Sequence, residues 1–206
     1  MSGRILYIFV LCGFMGCTPS VEKESLLFEK QNWQTIVTFE KALGQPDTTF
    51  YLEKIKDPLG RILNYHGLVW SVREREGSLP LKTIYFLDQD SITNYIIYEW
   101  NKNIGVTDLH QLDSLNANNT DFNDEYVAVF NQLVAEYTSL YGEPFYADKK
   151  LKQEKFIQGQ VRHFSYYKWQ HGDQYIELSL RLIPGHLYKI FTKVCWGYES
   201  SITASS

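Results

Sequence analysis

Residues 123–144 read NDEYVAVFNQLVAEYTSLYGEP. Tyr126, Phe130, Val134, Tyr137 and Tyr141 recur at spacings of four and three, and Leu133 and Leu140 widen the stripe, the pattern of one apolar helix face. Asn123 or Asp124 is placed to cap the start, and Asp124 and Glu125 suit the positive end of the helix dipole. Gly142 and Pro144 then form a stop signal. About 98 residues upstream, NWQTIVTFEKALGQP (32–46) ends in the same way. Leu43-Gly44-Gln45-Pro46 matches Tyr141-Gly142-Glu143-Pro144, and Ile36, Phe39 and Leu43 fall where Val134, Tyr137 and Tyr141 fall.

The agreement continues downstream. Trp70 in GLVWSV lies 26 residues after Gly44, and Trp169 in YYKWQH lies 27 after Gly142. A turn signal follows each, Gly77-Ser78 and Gly172-Asp173, and then a strand pattern, LKTIYFL (81–87) and YIELSLRLI (175–183). In the latter, Ile176, Leu178, Leu180 and Leu182 alternate with Tyr175, Glu177, Ser179 and Arg181, as in a half-buried strand. A second turn, DQDS (88–91) or Pro184-Gly185, leads to an aromatic-rich segment closed by Trp100 or Trp196. The pattern predicts an α+β fold of two tandem repeats, each a helix and three antiparallel strands, with the two sheets facing one another or fused. The expected divisions are a signal peptide at 1–16, a polar tether at 17–25 and repeats at 26–100 and 124–198. An Asn- and Asp-rich linker at 101–123 and a disordered tail at 199–206 complete the chain.

A helix ending in Leu-Gly-x-Pro, then a Trp-bearing hairpin and further strands, resembles the unit of the small lipoprotein in the outer-membrane barrel-assembly machinery. Its duplication is similar to the β-lactamase inhibitor protein, so the expected architecture is BLIP-like. The resemblance rests on LGQP, LVW, YGEP and YKW and covers about 70 residues in each half. The paired cysteines of that family are absent. The resemblance implies a non-enzymatic module whose sheet and loops bind another protein.

The N-terminus points the same way. Arg4 is the one charge in the first 21 residues, and an apolar run follows from Ile5 to Met15. Eleven helical residues span about 16 Å, short of the roughly 30 Å hydrocarbon core, so this is an export signal rather than a membrane span. FMGC (14–17) resembles the lipobox of bacterial lipoproteins, which implies cleavage before Cys17, acylation of Cys17 and an outer-membrane anchor. Gly16 fits the position before the cysteine, Phe14 fits −3 loosely, and Met15 departs from the small residue expected at −2. A plain secretory signal is the competing reading, and a C-x4-C metal pair at Cys12 and Cys17 lacks partner ligands. With Cys12 removed and Cys17 lipidated, Cys195 stands alone in KVCWGY, a packed strand residue or, less in keeping with its neighbours, a nucleophile.

The chain has 206 residues, 44% apolar and 21% charged, and a formal charge of −4, which provides no overall basic field for nucleic acid. Aromatics reach 16%, from strand packing or from an exposed recognition face. The expected partner-binding residues are Tyr85, Tyr166, Trp169 and Tyr188, as aromatics on strand faces opposite the helices. No Gly-x-Ser-x-Gly, His-Glu-x-x-His or Gly-rich phosphate loop occurs, so no catalytic residue, metal or cofactor is assigned. His163 and His171 are eight apart and could converge across a hairpin; with a nearby acid they carry the alternative reading, an envelope glycan or peptide hydrolase. Glycan binding through exposed Trp or Tyr is a third reading. DQDSITNYIIYE (88–99) begins like a Ca²⁺ loop but has Ile92 and Thr93 where such a loop is strict. Asp47-Thr48-Thr49, Asp90-Ser91-Ile92 and Asp113-Ser114-Leu115 resemble the O-glycosylation acceptor motif of exported Bacteroidetes proteins, and turn chemistry explains them equally well.

Overall fold

Alternation in 175–183 is the clearest strand signal in the sequence, and in the computed structural model that segment lies inside a single antiparallel sheet. The structure describes residues 26–74, 79–102, 122–148, 150–155, 161–183 and 187–197. The elements are α1 (Trp33–Lys41), β1 (Asp47–Lys56), β2 (Ile62–Arg73), β3 (Leu81–Leu87), β4 (Thr93–Trp100), α2 (Phe122–Tyr141), β5 (Tyr146–Ala147), β6 (Lys152–Lys155), β7 (Val161–His171), β8 (Gln174–Ile183) and β9 (Leu187–Trp196). The fold is α+β, with both helices contributing to one core against one face of the sheet.

The sheet does not divide into two three-stranded repeats. Its order is β1-β2-β3-β4-β9-β8-β7-β5, with β6 also on β7. β4 and β9 pair directly from Tyr95↔Cys195 to Trp100↔Ile190, so the hydrogen-bond ladder runs unbroken through the centre. Each helix precedes four strand positions rather than three. The extra position is β1 in the first half and the interrupted β5–β6 edge in the second. These edges lack the apolar alternation that marks a half-buried strand: β6 is KQEK with every side chain exposed, and a register shift between Phe50 and Glu53 breaks β1.

The matched tryptophans take opposite faces. Trp70 pairs with Ile84 on the face away from the helices, over which Lys82 Nζ lies 5.9 Å from its ring. Trp169 is 1% exposed beneath α2. Their spacings from the glycines, 26 and 27, differ by one residue, and with a period of two that reverses the face. The two glycine stops also work by different physics. Gly142 has φ +81°, a left-handed helix end. A Cβ on Gly44 would lie 3.0 Å from the Val72 carbonyl oxygen, so that position is kept small by close backbone approach.

The helices dock by different means. α2 buries Tyr126, Phe130, Leu133 and Tyr137 against the sheet. α1, capped by Asn32 Oδ1 accepting from the Thr35 amide at 2.9 Å, fully buries only Ile36 and Glu40. Glu40 is therefore its polar anchor. Oε1 accepts from Arg73 Nη2 at 2.6 Å and Tyr85 OH at 2.5 Å, and Oε2 accepts from Ser71 Oγ at 2.5 Å and Arg73 Nε at 3.1 Å. The network extends through Tyr98, whose hydroxyl lies 3.3 Å from that of Tyr85 and donates to the Leu27 carbonyl at 2.6 Å. Phe28 packs beside it, its ring 5.4 Å from Tyr137 and 5.9 Å from Tyr141.

Candidate functional site

Strand register sorts the side chains of the central strands onto two faces. Tyr85, Ile96, Val194, Ile176 and Trp169 share the helix side. The neighbouring positions point the other way, and no helix covers them among the described residues. One row across that open face reads Tyr166, Ser179, Phe191, Glu99, Lys82. The next reads Lys168, Glu177, Lys193, Ile97, Ile84, Trp70.

Charge and aromatic side chains interleave there. Glu177 lies between Lys168 at 3.6 Å and Lys193 at 3.5 Å, and Lys189 Nζ meets Glu99 Oε1 at 2.5 Å. Cations stand over several rings: Lys168 over Tyr146 at 5.4 Å, Arg181 over Phe191 at 5.4 Å and Arg162 over Phe164 at 5.4 Å. Such contacts are worth about 0.5–1 kcal/mol each when exposed, and they pre-orient long side chains. Asp148 pins the outer end of the face, accepting from Tyr146 OH at 2.8 Å, Lys152 Nζ at 2.5 Å and the Tyr166 amide at 3.1 Å. Burial raises the pKa of its carboxyl, but those three donors outweigh burial and hold it below the ordinary aspartate value.

A further row, Tyr175, Cys195, Tyr95 and Phe86, is closed over. The β1–β2 hairpin reaches back so that Ile55, Leu59, Leu63 and Tyr65 pack with these residues. Arg61 near its tip donates to the Trp196 carbonyl at 2.8 Å and the Gly197 carbonyl at 2.9 Å, held by Asp57 Oδ2 at 2.6 Å. Cys195 is fully buried, and burial pushes its thiol up to about 12. It is thus a packed strand residue with essentially no thiolate at neutral pH, not a nucleophile. Iodoacetamide mapping is expected to leave Cys195 unalkylated in the folded chain at pH 8 and to modify it fully in urea.

Of the four aromatics expected to face a partner, only Tyr166 is on the open side. Tyr85 is fully buried and bonded to Glu40, Trp169 is buried with its indole donating to the Gly142 carbonyl at 3.0 Å, and Tyr188 is buried against Tyr126 at 5.9 Å. Their placement is corrected by parity: Tyr166 and Trp169 are three apart on one strand and take opposite faces. The residues that do line the face, Lys168, Glu177, Arg181, Lys189, Phe191 and Lys193, carried a signal of their own. All but Phe191 are the polar half of the same alternation whose apolar half marks the core.

His163 and His171 do not converge across a hairpin, since both lie on β7, about 26 Å apart along the strand. The His171 ring lies 5.9 Å from that of Tyr141, tilted by 58°, on the rim of an open depression of about 490 Å³ walled by Phe28, Lys30, Tyr141, Asp173 and Trp196. No group of three or more His, Cys, Asp or Glu suited to a metal occurs among the described residues. The DQDS segment is a turn closed by its own aspartate, Asp88 Oδ1 accepting from the Asp90 amide at 2.9 Å and the Ile92 amide at 3.0 Å. Cys17, His110, Asp113-Ser114-Leu115, the 1–25 leader and tether, His186 and the 199–206 tail lie outside the described residues, as does most of the 101–123 linker. No described helix is long and apolar enough to cross a membrane. Protein-family models, curated proteins and solved structures yield no match to this chain.

Proposed function

We propose that the chain is a non-enzymatic envelope lipoprotein, held at the outer membrane through acylated Cys17, that binds a protein partner with the open face of its sheet. The observation that carries the reading is that face itself, a pleated surface of interleaved cations, carboxylates and rings that helices leave uncovered. Aromatic and Arg anchors among polar groups are the composition of protein interfaces. On this reading, 26–100 and 124–198 are two copies of one unit, each a helix with four strand positions, joined edge to edge at β4–β9 as the resemblance to the β-lactamase inhibitor protein implies. The 17–25 segment is then the tether to the lipid.

A second reading, glycan binding, is favoured by the depression beside Trp196, where aromatic walls meet Lys30, His171 and Asp173. Glycan-array silence of the full chain would reject it.

The leading reading is tested by lysine acetylation mapped in envelope membranes and in detergent-purified chain. Lys168, Lys189 and Lys193 are expected to be protected in the membranes, with Lys41 and Lys54 equally modified in both. Equal modification of all five overturns the assignment.

A further inference from the structure

The chain has a formal charge of −4, yet its open face is basic. From β3 to β7 that face carries six cations, Lys82, Arg162, Lys168, Arg181, Lys189 and Lys193, against two carboxylates, Glu99 and Glu177. A net of +4 there leaves −8 for the rest of the chain. Including the β5–β6 edge, where Lys152 stands with Asp148 and Glu154, the face still has a net of +3. Both central carboxylates are already engaged by Lys168, Lys189 and Lys193. Lys82 and Arg181 instead lie on the rings of Trp70 and Phe191.

Two polar atoms on this face are buried without a hydrogen-bond partner among the described residues, Ser179 Oγ and Arg181 Nε. They are two residues apart on β8, and Ser179 is fully buried between Tyr166 and Phe191. Buried polar groups are paired as a rule, and of the two residues only Arg181 keeps part of its side chain at the surface, where an outside group can reach it.

We propose that the partner presents an acidic protein surface to this face, and that Arg181 receives one of its carboxylates. The inference rests on the face being the binding surface and adds the chemistry of what it binds. The Arg181 guanidinium carbon stands 5.4 Å from the Phe191 ring centroid, and a guanidinium offers a carboxylate paired donors that a lysine would not match. Beyond the row closed over by the hairpin, strands β3, β4, β9, β8 and β7 present about 19 Å by 20 Å, roughly 400 Å², about half of the ~800 Å² each partner contributes to a standard protein interface and far more than one small anion covers. The rings that interleave with these cations, Phe164, Tyr166, Phe191 and Trp70, favour a protein over lipid headgroups or a phosphate backbone, which offer no apolar surface to cover them.

The test uses the full chain with fluorescein-labelled poly-L-glutamate at low salt, alongside polyphosphate and phosphatidylglycerol vesicles. Polyglutamate is expected to bind in a salt-dependent manner, more tightly than either comparator. Arg181→Gln is expected to weaken it about tenfold and Lys41→Gln, on α1, to leave it unchanged. Circular dichroism checks that each variant is folded, and Lys168→Gln replaces Arg181→Gln if the latter is not. Absence of polyglutamate binding, equal loss in Lys41→Gln, or tighter binding of polyphosphate or vesicles overturns the proposal. Protection of Lys168, Lys189 and Lys193 in the envelope without affinity for polyglutamate would keep the binding face and reject its acidic partner.

Discussion

Glu40→Ala is expected to lower the unfolding free energy by about 3–5 kcal/mol, the range for removing one partner of a buried ion pair and leaving the other charge uncompensated. Glu40 is fully buried, and Arg73, 3% exposed, pairs with its carboxylate in the core. Tyr85 and Ser71 would lose the acceptor they now share. Because α1 fully buries only one other side chain, Ile36, the loss falls on the docking of the whole helix. A domain of this size has about 5–15 kcal/mol in total, so urea unfolding followed by circular dichroism should show a large fall in midpoint. Glu40→Met with Arg73→Met is expected to recover most of the loss, because an apolar pair leaves no buried charge behind. The same network sets a pH dependence. Burial alone would raise the Glu40 pKa, but the hydrogen bonds and charge of Arg73, with Ser71 and Tyr85, bring it below its ordinary 4.5. A carboxyl depressed on folding contributes stability that is complete above its unfolded pKa and is lost as pH falls through the folded value. The gap between wild type and Glu40→Ala should therefore be constant near neutrality and narrow only in acid, below about pH 4.5.

Trp169→Ala is expected to destabilise by about 3–5 kcal/mol, whereas Tyr166→Ala, three residues away on the same strand, should change stability by less than about 1 kcal/mol. The Trp169 indole is 1% exposed, its ring centroid lies 5.6 Å from Tyr137 and 5.9 Å from Tyr167, and its N–H satisfies the Gly142 carbonyl that follows α2. Removing it opens a cavity at the joint between helix and sheet and orphans that carbonyl. Tyr166 contributes its amide to Asp148, which alanine retains, and its ring lies on the open face beside Phe164 at 5.7 Å. Thermal unfolding of the two variants separates packing from recognition. Comparable losses in both would contradict the assignment of faces.

That pair also shows how much the sequence disclosed. Both helices, their stop signals and the six inner strands were legible, because an apolar stripe at helical spacing or an alternating strand records burial on one side. The edge strands were not. Exposed β6 has no apolar face to record, and the bulge in β1 breaks the alternation that would have revealed it. Edge-to-edge joining of β4 and β9 was not legible either, since each reads as an ordinary half-buried strand whoever its neighbour is. The candidate site was half legible. Choosing aromatic residue types put Tyr85, Trp169 and Tyr188 on the wrong side, where strict counting by two from Tyr166 would have selected Lys168 and, through the YIELSLRLI alternation, Glu177 and Arg181. The Glu40–Arg73 anchor had no sequence signal, because 33 residues separate its partners and only the docking of α1 over β2 brings them together.

Placing a photo-crosslinking amino acid at Lys168 and, separately, at Gln132 on the exposed side of α2 tests the central claim most directly. Irradiation of native envelopes is expected to give one discrete protein adduct, identified by mass spectrometry, from the Lys168 position and none from Gln132. Adducts from Gln132 alone, or the same adducts from both positions, would contradict the assignment of the open sheet face as the binding surface.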